Sequence, residues 1–355
     1  MKRTVFLSLC VLGWLPWAVQ AFEFKPCTPA NEYLEEGLKS LSAQCHEVQT
    51  KLPDAPGLEA LSRPESEVAC IALAMSRFSE KGVGYAYKKC PSSKSVPSLV
   101  DRPCISRTYV ETVLDRYKAV SSCVFQGSTI THRETFPLFA LESGFHLNVT
   151  SGSGCRGLGQ LSKIAVQEMD AVDTADLEIC EKPYSRSTLR DQPSCAGFEK
   201  QLSAPIPDHS KKLGECEVIA LPENPDANLL YSLRLYRMLK DDKAASPIQK
   251  NHARLKALGL TESEINTLHI RIARLMYNGG YPSIQATFNS FMRSVSAKSL
   301  SAASRGESLW NLYKAHIYNH YPAKGQARRK EVRDYVSKIE SAKAQIEERG
   351  GSECF

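Results

Sequence analysis

The sequence predicts a mainly α-helical fold, and three observations support this expectation. Apolar residues recur every three or four positions in several stretches of the 355-residue chain. No stretch shows the alternation of apolar and polar residues that is typical of a half-buried strand. The composition, 42% hydrophobic and 24% charged, supports one large or two modest cores and argues against a mostly disordered chain.

The one long apolar run lies at the start of the chain. Lys2 and Arg3 precede a mostly apolar stretch over residues 4–18, and the small-residue pattern Val19-Gln20-Ala21 follows. This arrangement is typical of a cleaved export signal, so we predict a signal peptide over residues 1–21 and an exported mature chain. No later stretch approaches the ~20 apolar residues that a membrane span requires, and no membrane span is expected.

The charge and the cysteines exclude several classes of protein. The net charge of +6 is small and dispersed, which argues against a nucleic-acid partner. None of the 12 cysteines is spaced as CxxC, and an exported chain meets oxidising conditions, so disulfides are favoured over zinc sites. Their connectivity cannot be read from the sequence. His316 and His320 have a metal-pair spacing but no third ligand nearby, so we expect no metal and no other cofactor.

Residues 22–103 are predicted to form a small, helical, disulfide-tied accessory domain. Candidate helices cover residues 30–50 and 63–81, and residues 94–103 are rich in serine and proline, as in a linker. No catalytic motif occurs in this region.

From residue 105 onward the helical pattern is clearer. Helices are predicted over residues 107–122, over 136–143 with a break at Gly144, and over 327–348. Leu229, Leu233, Tyr236 and Leu239 mark another helix. Thr261 and Glu264 form a predicted capping box for a helix that buries Ile265, Leu268, Ile272 and Leu275 and stops at Gly279-Gly280. Residues 162–221 mix acidic turns, prolines and cysteines and are interpreted as a disulfide-pinned insertion.

Several ordered blocks of sequence carry a more specific resemblance. They are Ala140-Leu141-Glu142-Ser143-Gly144-Phe145, then Ser151, Gly154-Cys155-Arg156-Gly157-Leu158-Gly159-Gln160-Leu161, Asn224-Pro225-Asp226-Ala227-Asn228-Leu229, Ala273-Arg274-Leu275-Met276-Tyr277-Asn278-Gly279-Gly280 and Glu331-Val332-Arg333-Asp334-Tyr335-Val336. Together they resemble the SLT-type lytic transglycosylases, relatives of the goose-type lysozymes. The resemblance implies a lysozyme-like SLT catalytic domain over residues 104–348 and a bacterial protein of the periplasm or the exterior.

The resemblance also implies a site and a substrate. Glu142 would be the general acid and base for cleavage between N-acetylmuramic acid and N-acetylglucosamine in peptidoglycan glycan strands, since partial burial keeps a carboxyl protonated near neutrality. Tyr277 and Tyr335 would line the cleft and orient this carboxyl by hydrogen bonding. Asn278 would hold its helix end near the cleft, and Gln160 and Ser143 would hydrogen-bond substrate amide groups.

Two departures from the family pattern bear on specificity. Cys155 stands where the family has alanine, and we expect a disulfide or a buried thiol there in preference to a nucleophile. Gly159 stands where the family has methionine, which removes an apolar side chain expected near the sugars. A preference for modified, N-deacetylated strands is the hypothesis that follows.

Several reactions remain open. The muramic 6-hydroxyl attacks in lytic transglycosylation and leaves a 1,6-anhydro product, whereas a lysozyme admits water. Inverting hydrolysis needs a second carboxylate, for which Glu168, Asp170 and Asp173 are candidates. An inactive wall-binding protein and a chitinase of similar fold are further alternatives.

Overall fold

The computed structural model describes residues 107–145, 157–175, 182–203, 225–323 and 325–350, together with residues 67, 68, 70, 71, 73, 74, 155 and 354. Helices account for the regular structure of these residues and no strand occurs among them, which confirms the mainly α class. None of their helices has the length and apolar character needed to cross a membrane. The predicted signal peptide, the helix at 30–50 and the linker at 94–103 lie outside the described residues.

Twelve α-helices follow one another in the described part of the chain from residue 107 onward. The first six are α1 Arg107–Phe125, α2 His132–Glu142, α3 Lys163–Ala175, α4 Arg186–Arg190, α5 Glu199–Leu202 and α6 Pro225–Met238. The second six are α7 Ala245–Lys250, α8 His252–Ala257, α9 Glu262–Gly279, α10 Tyr281–Ser294, α11 Arg305–His320 and α12 Gln326–Gly350. Short 3₁₀ turns lie at Pro193–Cys195 and Ala297–Ser299, and a π-helical turn, Leu239–Ala244, joins α6 to α7.

The helices pack in two groups, and α9 of the second group also packs against α6 of the first. On one side α1 packs against α6, and α6 packs against α3. On the other side α9 packs against α10, α11, α12 and the π-helical turn. Helix α12 also packs along α2. This last contact brings residues near the end of the chain to the C-terminal end of α2, where Glu142 lies.

Helix α9 forms as its sequence predicts. The hydroxyl of Thr261 accepts a hydrogen bond from the Glu264 amide, and the Glu264 carboxylate accepts one from the Thr261 amide, so the capping box is present. The four predicted core residues, Ile265, Leu268, Ile272 and Leu275, are buried. The helix stops before Gly280, whose positive φ of 79° favours glycine.

Helix α2 begins four residues earlier than the predicted start at residue 136. Thr131 caps it, with its hydroxyl accepting from the Glu134 amide. Pro137 therefore lies inside the helix and not in its first turn, where proline is usually accommodated. The Glu134 carboxylate does not complete a capping box, because it accepts hydrogen bonds from Tyr236 and Lys240 instead.

The first part of the predicted insertion is fixed to the core by buried charges. Asp173 of α3 pairs with Arg186 of α4 at 2.6 Å and with Arg234 of α6. Arg234 also donates to the carbonyl of Tyr184 at 2.7 Å and is fully buried. A buried ion pair of this kind requires both partners, because the charge that remains after removal of one has no solvent to stabilise it.

Two disulfides within the described part of the structure connect distant parts of the chain, as expected for an exported protein. Cys123 of α1 is bonded to Cys195 of the 3₁₀ turn that follows α4. Cys70 is bonded to Cys354, across a sequence separation of 284 residues. Val68 and Ile71 beside Cys70 are buried in the same apolar core as α1. The described part of the N-terminal region is therefore tied both to the core and to the end of the chain.

The Arg234→Met variant is expected to lower the free energy of unfolding by about 3 kcal/mol, since Asp173 and the Tyr184 carbonyl lose a buried donor while Arg186 remains. Chemical denaturation measures this loss. Arg190→Met removes an exposed arginine of α4 and is the matched control. Equal stability of the two variants would show that the pair does not hold α3 in place.

Candidate active site

The end of α2 places Glu142 at a sharp turn. Ser143 ends the helix, and Gly144 and Phe145 follow with φ values of 56° and 60°. The Ser143 hydroxyl donates to the Phe139 carbonyl at 3.3 Å and accepts from the Phe145 amide at 3.1 Å. Phe145 is fully buried and contacts Phe136 and Tyr117 edge-on or tilted, which holds the non-glycine residue in its left-handed conformation.

Glu142 opens onto a cleft of about 740 Å³. The ends of α2 and α9, the first turns of α3 and the start of α12 form its walls, together with the loop at 157–162. Five of the six predicted site residues line this cleft: Glu142, Gln160, Tyr277, Asn278 and Tyr335. Ser143 does not, because it is fully buried behind Glu142 and its hydroxyl is engaged with the backbone. Its position suits support of the turn and not contact with a substrate.

Among the described residues, one donor is bound to the carboxyl of Glu142, the hydroxyl of Tyr335 on α12. The pKa of Glu142 is raised to about 7, chiefly by burial and in addition by the nearby charge of Glu331. The hydrogen bond from Tyr335 and the charge of Arg328 act in the opposite direction and lower this pKa. Burial dominates, so about half of the Glu142 carboxyls carry a proton at pH 7.

Tyr277 acts on the loop and not on the carboxyl. Its hydroxyl donates to the carbonyl of Gly159 at 2.7 Å, so the predicted hydrogen bond to Glu142 is not formed. Burial and the charge of Glu142 raise the pKa of Tyr277, which keeps the hydroxyl a donor. The tyrosine therefore fixes the loop against the end of α9.

The glycines of this loop are required by close approach to α6. A Cβ at Gly157 would lie 2.4 Å from Asn228 Nδ2, and the Asn228 Oδ1 accepts from the Gly159 amide at 3.3 Å. A Cβ at Gly159 would lie 1.9 Å from Ser232 Oγ and 2.7 Å from the Tyr277 hydroxyl. The space beside Gly159 is thus filled by protein. The preference for N-deacetylated strands stays a prediction.

Gln160 and Asn278 both line the cleft. Gln160 has a φ of 49° and donates from Nε2 to the Gly157 carbonyl at 2.8 Å, which keeps the loop in a tight turn. Asn278 at the end of α9 donates to Glu331 at 3.5 Å. Arg328 binds Glu331 at 2.6 Å and the carbonyl of Asn278 at 2.5 Å. These contacts join the start of α12 to the end of α9.

Arg328 and Glu331 are site residues to which the sequence analysis assigned no role. Glu331 is the first residue of the last sequence block that resembles the SLT family, and Arg328 lies about one helical turn before it. Both line the cleft. Their influence on Glu142 depends on the packing of α12 against α2, which local patterns do not encode.

The candidate second carboxylates differ in location. Asp170 is fully buried and accepts from the Tyr231 hydroxyl at 2.6 Å, while Asp173 is engaged with two arginines. Neither lines the cleft. Glu168 does, and burial raises its pKa while Lys243 lowers it.

Metal-binding groups do not accompany this cleft in the described residues. No group of three or more His, Cys, Asp and Glu side chains in that part of the chain could hold a metal ion. His316 and His320 lie with their rings 4.2 Å apart on α11, and Cys155 lines the cleft.

Comparisons with protein-family models, curated proteins and solved structures gave no match. The functional conclusion therefore depends on the resemblance of the chain's sequence blocks and on the geometry of its residues.

The Glu142→Gln variant is expected to be more stable than the wild type at neutral pH. The folded protein holds the Glu142 proton with a pKa of about 7 against 4.5 for an unperturbed carboxyl. Wild-type stability should therefore fall as pH rises from about 4.5 to 7, by about 3 kcal/mol in total, and the glutamine variant lacks this loss. Denaturation at several pH values measures the difference, which should vanish at low pH.

Glu348→Gln removes an exposed carboxylate near the end of α12 and is the matched control. It should follow the wild type across the same pH range. A constant difference between Glu142→Gln and the wild type at every pH would show that Glu142 is not held in its protonated form.

Proposed function

We propose that the protein cleaves peptidoglycan glycan strands between N-acetylmuramic acid and N-acetylglucosamine, with Glu142 as general acid and then as base. The observation that carries the proposal is a cleft-lining carboxyl with a pKa of about 7 whose only hydrogen-bond donor among the described residues is Tyr335. The helical fold and the ordered sequence blocks support a lysozyme-like SLT domain around this carboxyl. The substrate comes from that resemblance, and the chemistry comes from the site.

Glu142 is suited to the first step of glycosidic cleavage. The leaving oxygen requires a proton as its bond to the anomeric carbon breaks, and a carboxyl with a pKa near the working pH both carries the proton and releases it readily. The Tyr335 hydroxyl donates to one carboxyl oxygen, so the proton resides on the other. In the proposed reaction, this second oxygen gives its proton to the glycosidic oxygen.

Lytic transglycosylation is the outcome that the site supports best. After giving up its proton, the Glu142 carboxylate accepts the proton of the muramic 6-hydroxyl, whose oxygen attacks the anomeric carbon and closes a 1,6-anhydro ring. One carboxyl thus performs both proton transfers, and no second carboxylate is needed. The engagement of Asp170 and Asp173 in structural contacts supports this route.

Lysozyme-type hydrolysis is the second candidate, because Glu168 and Glu331 line the same cleft as Glu142. An inverting mechanism places its base about 6.5–9.5 Å from the acid, with water between them. Glu331 is already paired with Arg328, so Glu168 is the better candidate. A chitinase or an inactive wall-binding protein would use the same cleft with a different ligand or without turnover.

The compartment follows from the same proposal. Peptidoglycan lies outside the bacterial inner membrane, which agrees with a protein exported to the periplasm or beyond. The Cys70–Cys354 and Cys123–Cys195 disulfides are of the kind that persists in an oxidising environment.

The wild type incubated with peptidoglycan is expected to release anhydro-muropeptides, detected by mass spectrometry of the soluble products. Glu142→Gln should release none, because the amide cannot donate the proton. Native and chemically N-deacetylated walls, and chitin oligomers that lack muramic acid, are compared in parallel. Reducing-end products would indicate a lysozyme, products from chitin alone a chitinase, and wall binding without products an inactive binding protein.

The pH dependence of kcat/KM should report the environment of Glu142. Activity is expected to fall above pH 7, where the acid loses its proton. Tyr335→Phe removes the hydrogen bond that lowers the Glu142 pKa, so its alkaline limb should move upward by about one pH unit. Glu331→Gln removes a charge that raises this pKa, so the limb should move downward. Initial rates measured across pH give both shifts.

Tyr318→Phe is the control for these profiles, because Tyr318 lies on α11 outside the cleft and contacts Arg333 through its ring alone. Its profile should match that of the wild type. Parallel movement of the Tyr335 and Glu331 variants would contradict the proposed tuning of Glu142.

A further inference from the structure

Helix α3 presents one side to the cleft. Leu161 just before the helix, then Ile164, Ala165 and Glu168, line the cleft wall. Their spacing of three, one and three residues places them on a single helical face. None of these side chains has a role in the proton transfers of Glu142.

The opposite side of α3 is anchored to the core. Val166, Met169 and Asp170 are buried, and the Asp170 carboxylate accepts from the Tyr231 hydroxyl of α6 at 2.6 Å. Asp173, one turn later, is paired with two buried arginines. The cleft-facing side is consequently held in place, as a binding surface requires.

Ile164 leaves apolar surface exposed at this wall. Its side chain is 69% exposed, and it is the one large hydrophobic residue among the described residues that is so exposed. Ala165 and Leu161 lie beside it on the same wall. Single exposed apolar residues are common on protein surfaces. Ile164, however, borders the same cleft as the Glu142 carboxyl.

Glu168 is a half-buried carboxylate that accepts no hydrogen bond and forms no ion pair within the described part of the chain. The charge that acts on it is that of Lys243, on the π-helical turn. The Lys243 ammonium lies 5.1 Å from the centre of the Tyr281 ring and 3.4 Å from the Asp242 carboxylate. Glu168 thus keeps its oxygens available towards the cleft.

An apolar patch one helical turn from an available carboxylate fits a sugar ring. One face of a pyranose exposes C–H groups that pack on aliphatic side chains, and its edge carries hydroxyls that donate to a carboxylate. A cationic ligand suits the position less well, because the ammonium of Lys243 lies nearby and would repel it.

We propose that this face of α3 is a further sugar-binding subsite, with Ile164 packed under one ring of the glycan strand and Glu168 accepting hydrogen bonds from its hydroxyls. The inference depends on the proposed function, because the ring belongs to the same strand that Glu142 cleaves. A subsite removed from the cleaved bond is occupied by long strands and not by short ones. It should therefore set the preferred length of the substrate.

The test compares purified glycan fragments of increasing length, from tetrasaccharide to octasaccharide. Glu168→Ala is expected to raise KM for the longer fragments by about tenfold, because one hydrogen bond to a charged group is lost. The kcat should stay unchanged, and the KM for short fragments should not change. Ile164→Ala should raise KM by a smaller factor, again for the longer fragments only. Gln167→Ala, beside Glu168 but outside the cleft, is the matched control.

Binding in a Glu142→Gln background separates this inference from the proposed reaction, because it needs no turnover. Loss of length-dependent affinity on adding Glu168→Ala, measured by calorimetry, supports the subsite even where the wild type releases no product. Equal affinities with and without Glu168→Ala overturn the subsite and leave the reaction standing where the wild type cleaves. A fall in kcat at every length assigns Glu168 to water activation and overturns the subsite, and absence of both binding and cleavage overturns both proposals.

Discussion

The carboxyl of Glu142 is held partly out of water, and no described residue forms an ion pair with it. The hydrogen bond that it accepts within this part of the chain comes from the neutral hydroxyl of Tyr335, which orients the carboxyl without adding a positive charge. Arg328 is close enough to affect the pKa of Glu142, yet its guanidinium is bound to Glu331 and to the Asn278 carbonyl. A direct ion pair between Arg328 and Glu142 would lower that pKa and remove the acid. The pairing of Arg328 with Glu331 thus protects the proton.

The buried charges elsewhere have a structural role that complements this site. Arg234 and Arg237 of α6 donate to backbone carbonyls of Tyr184 and of Val124 and Pro183, and Arg116 of α1 pairs with Asp226. Arg234 and Arg237 thereby satisfy carbonyls of the loop before α4 and of the last turn of α1. Together with the pairing of Arg234 and Asp173, these contacts fix the end of α1, this loop and α3 against α6.

The sequence predicts those parts of the fold that depend on local patterns. Helix α9 carries its own cap at Thr261 and its own stop at Gly280, so its bounds were readable. The start of α2 could not be predicted in this way. Pro137 resembles a first-turn residue, whereas Thr131 caps the helix. Glu134 does not complete a capping box, because its carboxylate binds Tyr236 and Lys240 in the folded protein. Tertiary contacts override local preference in the same way wherever a polar side chain finds a better partner.

The site shows the same division. Glu142 and Tyr335 are 193 residues apart, and their pairing followed from sequence blocks and not from spacing. Gly159 was interpreted as the loss of an apolar side chain near the sugars, whereas a Cβ at this position would meet Ser232 and Tyr277. A sequence records that a side chain is missing but not which direction its Cβ would have pointed. The family resemblance itself stays a prediction, since no compared protein matches the chain.

Glu142 and Glu168 line the same cleft, but different roles are proposed for them: Glu142 donates a proton, and Glu168 binds sugar hydroxyls. Burial raises the pKa of Glu142 and of Glu168 alike. At Glu142 the charge of Glu331 adds to the effect of burial, and together they outweigh the Tyr335 hydrogen bond and Arg328, which lower the pKa. At Glu168 no donor is bound among the described residues, and the charge of Lys243 opposes the effect of burial on the pKa. An ionised carboxylate accepts hydrogen bonds and cannot donate one, which suits a group that binds hydroxyls. The main neighbouring charge thus reinforces burial at Glu142 and opposes it at Glu168, which favours Glu142 as the glutamate that protonates a glycosidic bond.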